Sequence, residues 1–430
     1  MVAAMAGEPR LRIAIVTHYF PPEVGAAPSR LIELAQRLQH AGHSVTVLTG
    51  FPNYPNGVIP KPYRGHVRMD DNVGGVRTLR GWILPAANRG FARRVINHLS
   101  LTVAVALNAW RVGAVDVAFV QSPPLFSGLA GLLFRRLRRV PYVFNVSDIW
   151  PESAIQMGAL RNRTAIRMAE FVERHLYKKA ARITVATPGM LERLAARGTP
   201  RGKLVLLRNG VDTETYRPAP SDPKLGEQFR IAPDQKVFLY AGNHGMAQGL
   251  GVILDAAERT ARSDVLFLMV GDGADKERLV AQAERRGLQN VRFEASIPKE
   301  SMPALLSLAY ATIIPLRRLD LFKSALPSKM FEAMAAGRPI VGALWGEAAD
   351  LIETARCGIV VEPEDPQALS EAVTRLAADP TGAEQLGRNG REYVVANLDR
   401  RQIAGTLEQL LTEVAGGSRA PKFDTSFKDA

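Results

Sequence analysis

The 430-residue chain contains a single cysteine, Cys357. One thiol excludes an internal disulfide and any metal site made from several cysteines, and it fits a reducing compartment. No His, Cys and Asp cluster with metal-ligand spacing appears, so no metal is expected. A GxGxxG fingerprint is also missing, which removes the usual dinucleotide site. The first residues, "MVAAMAGEPRLRIAIV", carry no basic segment ahead of the first apolar run, so no signal peptide is expected and the chain reads as cytoplasmic. Long apolar runs are scarce. Residues 95–110 fall short of the roughly 20 that a membrane span needs, and they include Asn97, His98 and Asn108. Residues 117–134 are uncharged but broken by Gln121-Ser122-Pro123-Pro124, which reads as strand, turn, then buried helix. Acidic residues are few in the first half. Up to Asp212 there are 29 Lys and Arg against 12 Asp and Glu, and beyond it 26 against 30. Such asymmetry points to an anionic partner for the first half (membrane, nucleic acid or phosphorylated substrate) or to a solvated basic face.

What the chain does have is a steady alternation of apolar runs and helix patterns. "LRIAIVT" (11–17) is followed by 28–42, where Leu31, Leu34, Ala35 and Leu38 recur at helical spacing, with Ser29 as a plausible cap and Gly42 past the end. Further strands are expected at 44–50, 115–121, 141–147, 182–187 and 203–210. Buried strands alternating with helices mean parallel sheets covered on both faces. Residues 216–235, with four prolines and little periodicity, read as a linker. The alternation restarts at 236–242 and continues through 264–273, 290–296, 309–316, 338–344 and 358–365. The expected fold is α/β, with two Rossmann-like domains facing across a cleft: 1–215, a linker over 216–235, and 236–400. A final helix over 401–415 is free to pack back on the first domain, and the tail 416–430 is expected to be disordered.

In open parallel sheets, ligands bind beyond the carboxyl ends of the strands. Four strand-end stretches therefore matter. "THYFPPEVGAAPSR" (17–30) brings small residues around Gly25 to a helix start, either as an anion site or as a plain turn. "NVSDIWPES" (145–153) places Asp148, Trp150 and Glu152 at a strand end facing the expected cleft, the plainer reading being that Asp148 caps a helix and Trp150 packs. "YAGNHGMAQGL" (240–250) offers Gly242 for close backbone approach, with Asn243 and Gln248 as hydrogen-bond donors; His244 is left unassigned, as a lone loop histidine. "VGDG" (270–273) repeats the logic at Gly271, and "RNGVD" (208–212) reads as a turn.

The most informative stretch is "SALPSKMFEAMAAGRPIV" (324–341). Its helix has small and apolar side chains and one carboxylate, Glu332. Burying a lone carboxylate costs several kcal/mol, roughly, unless it is paired or hydrogen-bonded. Lys329 lies three residues earlier on the same face, and Ser328 at the helix start. A diphosphate at the helix N-terminus and Lys329, with a ribose diol on Glu332, would satisfy these groups. A simple internal Lys329–Glu332 pair is the alternative.

These motifs together resemble the family 4 glycosyltransferases, retaining enzymes of the GT-B fold that use nucleotide sugars. The resemblance covers about residues 11–415 and rests on the Gly25 loop, "RNGVD", "YAGNHG…QGL", "VGDG" and above all "PSKMFEAMAAGRPIV". "SPPLFSGLAG" and "DIWPES" resemble the branch that builds O-antigen, capsule or exopolysaccharide, fucosyl- and N-acetylfucosaminyl-transferases included. The resemblance implies that Glu332 binds the nucleotide ribose. It also implies three departures. The family's other glutamate falls at Ser324, its diphosphate-gripping Arg and Lys are replaced by Asn243 and Gln248, and a histidine is replaced by Ser147 with Asp148 beside it. Lys323 or Lys329 would then supply the charge on the diphosphate. Expected donor-site residues are Glu332, Lys329, Lys323, Ser328, Gly242, Asn243, Gln248, Gly271 and Gly25. Asp148, Trp150 and Glu152 are expected at the acceptor, and Asp148, Lys323 and Lys329 are the catalytic candidates. No cofactor is expected beyond the NDP-sugar, probed first as a UDP-sugar, and the acceptor would be a polyprenyl-diphosphate-linked saccharide. Arg89, Arg93, Arg94, Arg111, Arg135, Arg136, Arg138 and Arg139 surround the two apolar helices and suit an anionic membrane, at about 1 kcal/mol per basic residue. That makes peripheral attachment to the inner face of a bacterial plasma membrane the expectation. A nucleic-acid partner is disfavoured, because the arginines lack interleaved aromatics and no recognised module is present. A sugar-nucleotide epimerase or a non-catalytic binder of the same architecture remains the alternative.

Overall fold

The apolar runs become the strands of two separate sheets. A computed structural model of the chain describes residues 11–23, 25–54, 56–86 and 91–416, with the side chains of 91 and 92 left aside. The expectations for the first ten residues, for Arg89 and for the tail from 417 onward fall outside the described residues.

In the first sheet, β1 (Arg12–Val16), β2 (Ser44–Gly50), β3 (Arg68–Val73), β4 (Val76–Gly81), β5 (Val117–Ser122), β6 (Tyr142–Val146), β7 (Arg182–Val185) and β8 (Leu204–Leu206) lie in the order β3-β4-β2-β1-β5-β6-β7-β8. Neighbours pair in parallel apart from the β3–β4 hairpin. Its helices are α1 (Ala26–His40), α2 (Phe91–Asn108), α3 (Ser127–Arg138), α4 (Glu152–Gln156), α5 (Arg163–Lys179) and α6 (Pro188–Ala196). Side chains alternate between the two faces of a strand. Ala14 and Val16 therefore pack with Leu101 and Val105 of α2, Phe134 of α3 and Leu176 of α5, while Ile13 and Ile15 pack with Leu31, Leu34 and Leu38 of α1.

The second sheet contains β9 (Lys236–Ala241), β10 (Val265–Val270), β11 (Val291–Glu294), β12 (Ala311–Pro315), β13 (Ile340–Ala343) and β14 (Gly358–Val361), all parallel, in the order β11-β10-β9-β12-β13-β14. Around it lie α7 (Pro223–Gln228), α8 (Gly251–Arg259), α9 (Lys276–Arg285), α10 (Met302–Leu308), α11 (Ser328–Ala335), α12 (Glu347–Thr354), α13 (Pro366–Ala378) and α14 (Pro380–Asn397). One face of the sheet packs with α8, α9 and α13, the other with α10, α11, α12 and α14.

The chain divides into two compact units, residues up to Arg208 with Arg401 onward, and Asn209–Arg400. α15 (Arg400–Gly416) carries Ile403, Leu407, Leu410 and Leu411 into the same core as α1. His43 Nε2 lies 2.7 Å from Glu408 Oε1, and Arg182 pairs with Glu413. The expected linker needs correction. Residues 216–235 pack on the second unit, with Tyr216 and Phe229 buried in its core and Asp222 capping α7 through Lys224 N and Leu225 N. The prolines punctuate a packed connection here instead of a free one. Where the chain crosses into the second unit it is stitched to the outgoing chain: Val211 N donates to Leu398 O (3.0 Å) and Arg400 N to Val211 O (2.9 Å). The start of α1 is also earlier than expected. Gly25 precedes it as the cap residue, and Ser29 lies inside the helix.

Candidate active site

In the second unit, the segments after β9, β10 and β12 carry most of the expected donor residues: Gly242, Asn243 and Gln248, then Gly271, then Ser328, Lys329 and Glu332. Two glycines make the loops possible. Gly242 has φ +140° and lies so close to Lys329 that an added Cβ would sit 3.2 Å from its Nζ. Gly271 has φ +148°, and an added Cβ there would overlap the Gly242 carbonyl oxygen. Both positions favour glycine by conformation and by space. Asn243 is exposed, and its carbonyl accepts a 2.6 Å bond from Tyr240 Oη. Gln248 ends a short 3-10 turn, Met246–Gln248, with its Oε1 buried and without a hydrogen-bond partner among the described residues. Lys276 Nζ donates to Gly271 O (2.7 Å) and Glu294 O (2.8 Å), tying the Gly271 loop to the strand ends.

α11 supplies the charge. Met330, Phe331 and Met334 are buried, each worth about 1.5–3 kcal/mol of apolar transfer, and they pin the helix to the sheet. Ser328 and Lys329 then occupy its first turn, where unpaired N–H groups carry partial positive charge. Lys329 Nζ sits 4.0 Å above the Tyr240 ring. Burial pulls the Lys329 ammonium down to about 7, against a weaker opposing attraction from Glu332. The internal-pair alternative is not what forms, since no ion pair joins Lys329 and Glu332.

Glu332 corrects a premise of the sequence reading. Its carboxylate is partly buried and its pKa is raised, chiefly by desolvation. Lys299, Arg400 and Lys329 oppose that rise, as does a hydrogen bond from Tyr216. These groups offset the buried charge only in part, since burial still outweighs them. Beside Glu332 and Lys329 lies a cavity of about 20 Å³, lined also by Leu239, Ala241 and Thr312. It has room for about one water.

Lys323 does not join this group. It is exposed, pairs with Asp320 at 2.9 Å and lies 4.6 Å over the Trp345 ring. Ser324, at the place of the missing glutamate, is buried. His244, left unassigned in the sequence as a lone loop histidine, is fully buried. It stacks on Tyr240 at 5.5 Å and meets Phe293 edge-on at 6.0 Å. Burial, with Lys276 and Lys329 nearby, pushes it down to about 4, so it is neutral. Tyr240 is only four residues away, but Phe293 on β11 is remote in sequence, and no local reading connects it to His244.

The first unit holds its own cavity of about 390 Å³ at the carboxyl ends of β1, β5 and β6. Gly25, Asp148 and Trp150 line it, as do Tyr19, Arg94 and His98, none of them among the expected donor or acceptor residues. Asp148 Oδ2 accepts from Ser153 Oγ at 2.8 Å, and burial raises its pKa. It does not cap α4, whose cap residue is Pro151. Trp150 meets Phe126 edge-on at 5.3 Å. His98 shares a 3.3 Å hydrogen bond with Tyr19 Oη and is pushed down to about 2 by burial, His18 and Arg94. Ser147 Oγ, at the end of β6, accepts from Arg30 (3.0 Å), Gln121 (3.2 Å) and Asn145 (3.2 Å). Glu152 is not part of the cavity lining. It pairs with Arg193 at 2.8 Å and Arg197 at 3.5 Å, a structural role that its place in the strand-end loop did not reveal. Among the described residues, no three His, Cys, Asp or Glu side chains come together as a metal site, and no helix is long and apolar enough to cross a membrane.

Comparison with known proteins adds the following. Residues 25–210 match the family described as Glycosyl transferase 4-like domain, and residues 221–393 match Glycosyl transferases group 1. The putative colanic acid biosynthesis glycosyl transferase WcaI of Escherichia coli K12 is 24% identical over 416 residues, covering 94% of this chain and 100% of the relative. A GDP-mannose-dependent alpha-mannosyltransferase of Mycolicibacterium smegmatis is 28% identical over 389 residues, covering 86% and 89%. The solved structure of Anabaena HepE in complex with UDP and glucose superposes with a TM-score of 0.70 at 19% identity, covering 94% of this chain and 100% of that one.

Proposed function

This chain belongs to the glycosyltransferases of the GT-B fold, its first unit a glycosyl transferase 4-like domain and its second a group 1 domain, and we propose that it moves a sugar from a UDP-linked donor to a polyprenyl-diphosphate-linked saccharide during surface-polysaccharide assembly. The observation that carries the donor half is Lys329, held on the first turn of α11 against the glycine loops at Gly242 and Gly271. Its ammonium and the helix N-terminus meet the diphosphate, and Glu332 takes the ribose hydroxyls. Asp148, Trp150 and the cavity around them receive the acceptor. The colanic acid role in the name of WcaI supports the polysaccharide setting, and the UDP bound to HepE supports the base.

The reaction retains the anomeric configuration. The acceptor oxygen attacks the anomeric carbon on the face from which the diphosphate leaves, and the departing phosphate oxygen takes the acceptor proton. Positive charge at Lys329 and the helix start stabilises the leaving diphosphate. A thermal-shift screen across UDP-, GDP-, ADP- and dTDP-sugars identifies the base. Product analysis with a labelled donor follows, with NMR of the anomeric proton. UDP-sugars should stabilise the protein and label should reach a lipid-linked saccharide. An altered free sugar nucleotide would mean an epimerase, and stabilisation with no turnover a binder. Fucosyl or N-acetylfucosaminyl donors are the first to test.

A further inference from the structure

α2 exposes an apolar stripe. Ile96, Leu99, Val103 and Leu107 are 51%, 38%, 53% and 38% accessible, and Trp110, just past the helix end, is 64% accessible. Their spacing of three and four residues sets them in one line along the helix, roughly 20 Å long. The opposite face of the same helix packs on the sheet through Leu101, Ala104 and Val105. Exposed apolar residues scattered singly need no explanation, but a contiguous line of five does.

The surroundings say what covers it. α2 and its packing neighbour α3 carry no acidic residue. Arg93, Arg136 and Arg139 are exposed and have no acidic partner among the described residues. The Arg138 guanidinium lies 4.8 Å over the Trp110 ring. A second copy of this chain would bring these arginines against one another at a two-fold interface. An anionic lipid surface complements them.

We propose that α2 is an amphipathic docking helix that lies in the headgroup region of an anionic bilayer, with the stripe inserted and the arginines on lipid phosphates. α2 does not span, since no described helix is long and apolar enough to do so. Trp110 marks the interfacial end, the level at which tryptophan settles. The first turns of the same helix also supply Arg94, Val95 and His98 to the cavity that holds Asp148 and Trp150. A helix seated in the membrane surface thus opens the acceptor cavity beside that surface, and Arg94 is placed for an acceptor's diphosphate. This inference rests on the lipid-linked acceptor proposed above.

The test is co-sedimentation with vesicles of phosphatidylethanolamine and phosphatidylglycerol, and with phosphatidylcholine vesicles as control. The wild type should bind the anionic vesicles with a blue shift in tryptophan emission that Trp110→Phe removes. Val103→Asp with Leu107→Glu should weaken binding about tenfold or more. Because both side chains are exposed, the variant should keep the wild-type melting temperature and UDP-sugar stabilisation. Equal binding by the variant, or no binding by the wild type, overturns the proposal. So does sedimentation velocity showing that the variant breaks a dimer that ignores vesicles. If docking fails while label still passes to a detergent-dispersed acceptor, only the docking surface falls and the transferase reading stands.

Discussion

Lys329 gives the donor site a pH signature. Its free-state pKa near 7 lies well below the ordinary 10.5 because burial disfavours the ammonium. A bound diphosphate reverses that preference and raises the pKa. Below pH 7 the lysine is already charged, so affinity for a UDP-sugar is flat. Above pH 7 binding must take up a proton, at about 1.4 kcal/mol per pH unit, until pH passes the bound-state pKa. At pH 9 only about 1% of the free site is charged, against about half at pH 7, so affinity should fall roughly fiftyfold between the two. Of the facing groups, His244 lies near 4 and Tyr240 is pushed well up by burial, both outside this window. The diphosphate of a UDP-sugar is fully ionised throughout. Isothermal titration calorimetry at several pH values, in buffers of different ionisation enthalpy, counts the proton directly. The empty protein should show the opposite trend. Its unfolded state binds more protons than the folded state between about 7 and 10.5, so stability rises with pH there. Flat UDP-sugar affinity from pH 7 to 9, or the same slope in Lys329→Met, refutes the reasoning.

Three further outcomes are expected. Glu332→Gln should abolish UDP-sugar stabilisation while leaving the empty protein folded, because burial already disfavours the charged carboxylate; a full ligand shift in the variant would refute the ribose role. Gly271→Ala should force the Gly271 and Gly242 loops apart and lose donor binding, because the new methyl overlaps the Gly242 carbonyl; thermal shift with and without UDP-sugar reads both effects. Phe331→Ala should cost about 3–5 kcal/mol in urea unfolding by leaving a void behind α11.

Strand positions were legible where an apolar run is buried on both faces, as at β2, β5 and β10. The β3–β4 hairpin was not. β3, with Asp70 and Asp71 adjacent and no residue fully buried, lies at the sheet edge, and β4 buries Arg80, whose charge hides the strand pattern. Arg80 is held there by Asp71 Oδ2 at 2.8 Å, a cross-strand partner that no local reading connects to it. The motif around Lys329 and Glu332 was legible because Pro327 marks the start of α11 and both charged residues follow within five positions of it. The groups that offset Glu332 were not, because Tyr216, Lys299 and Arg400 come from three remote segments. Glu152 misled for the same reason. It shares a loop with Asp148, but its partners are on α6 and just beyond it.

α15 belongs to the first unit yet follows the second in the chain. During synthesis, the hydrophobic row Leu31, Leu34 and Leu38 emerges from the ribosome long before Leu407, Leu410 and Leu411 arrive to close that face. At about 5–20 residues per second, residues 209–400 take roughly ten to forty seconds to make. Through that interval the first unit is an incomplete layer with an open greasy side. A fragment ending at Arg208 should therefore be prone to aggregate, and a fragment with 401–416 joined back should stay monomeric.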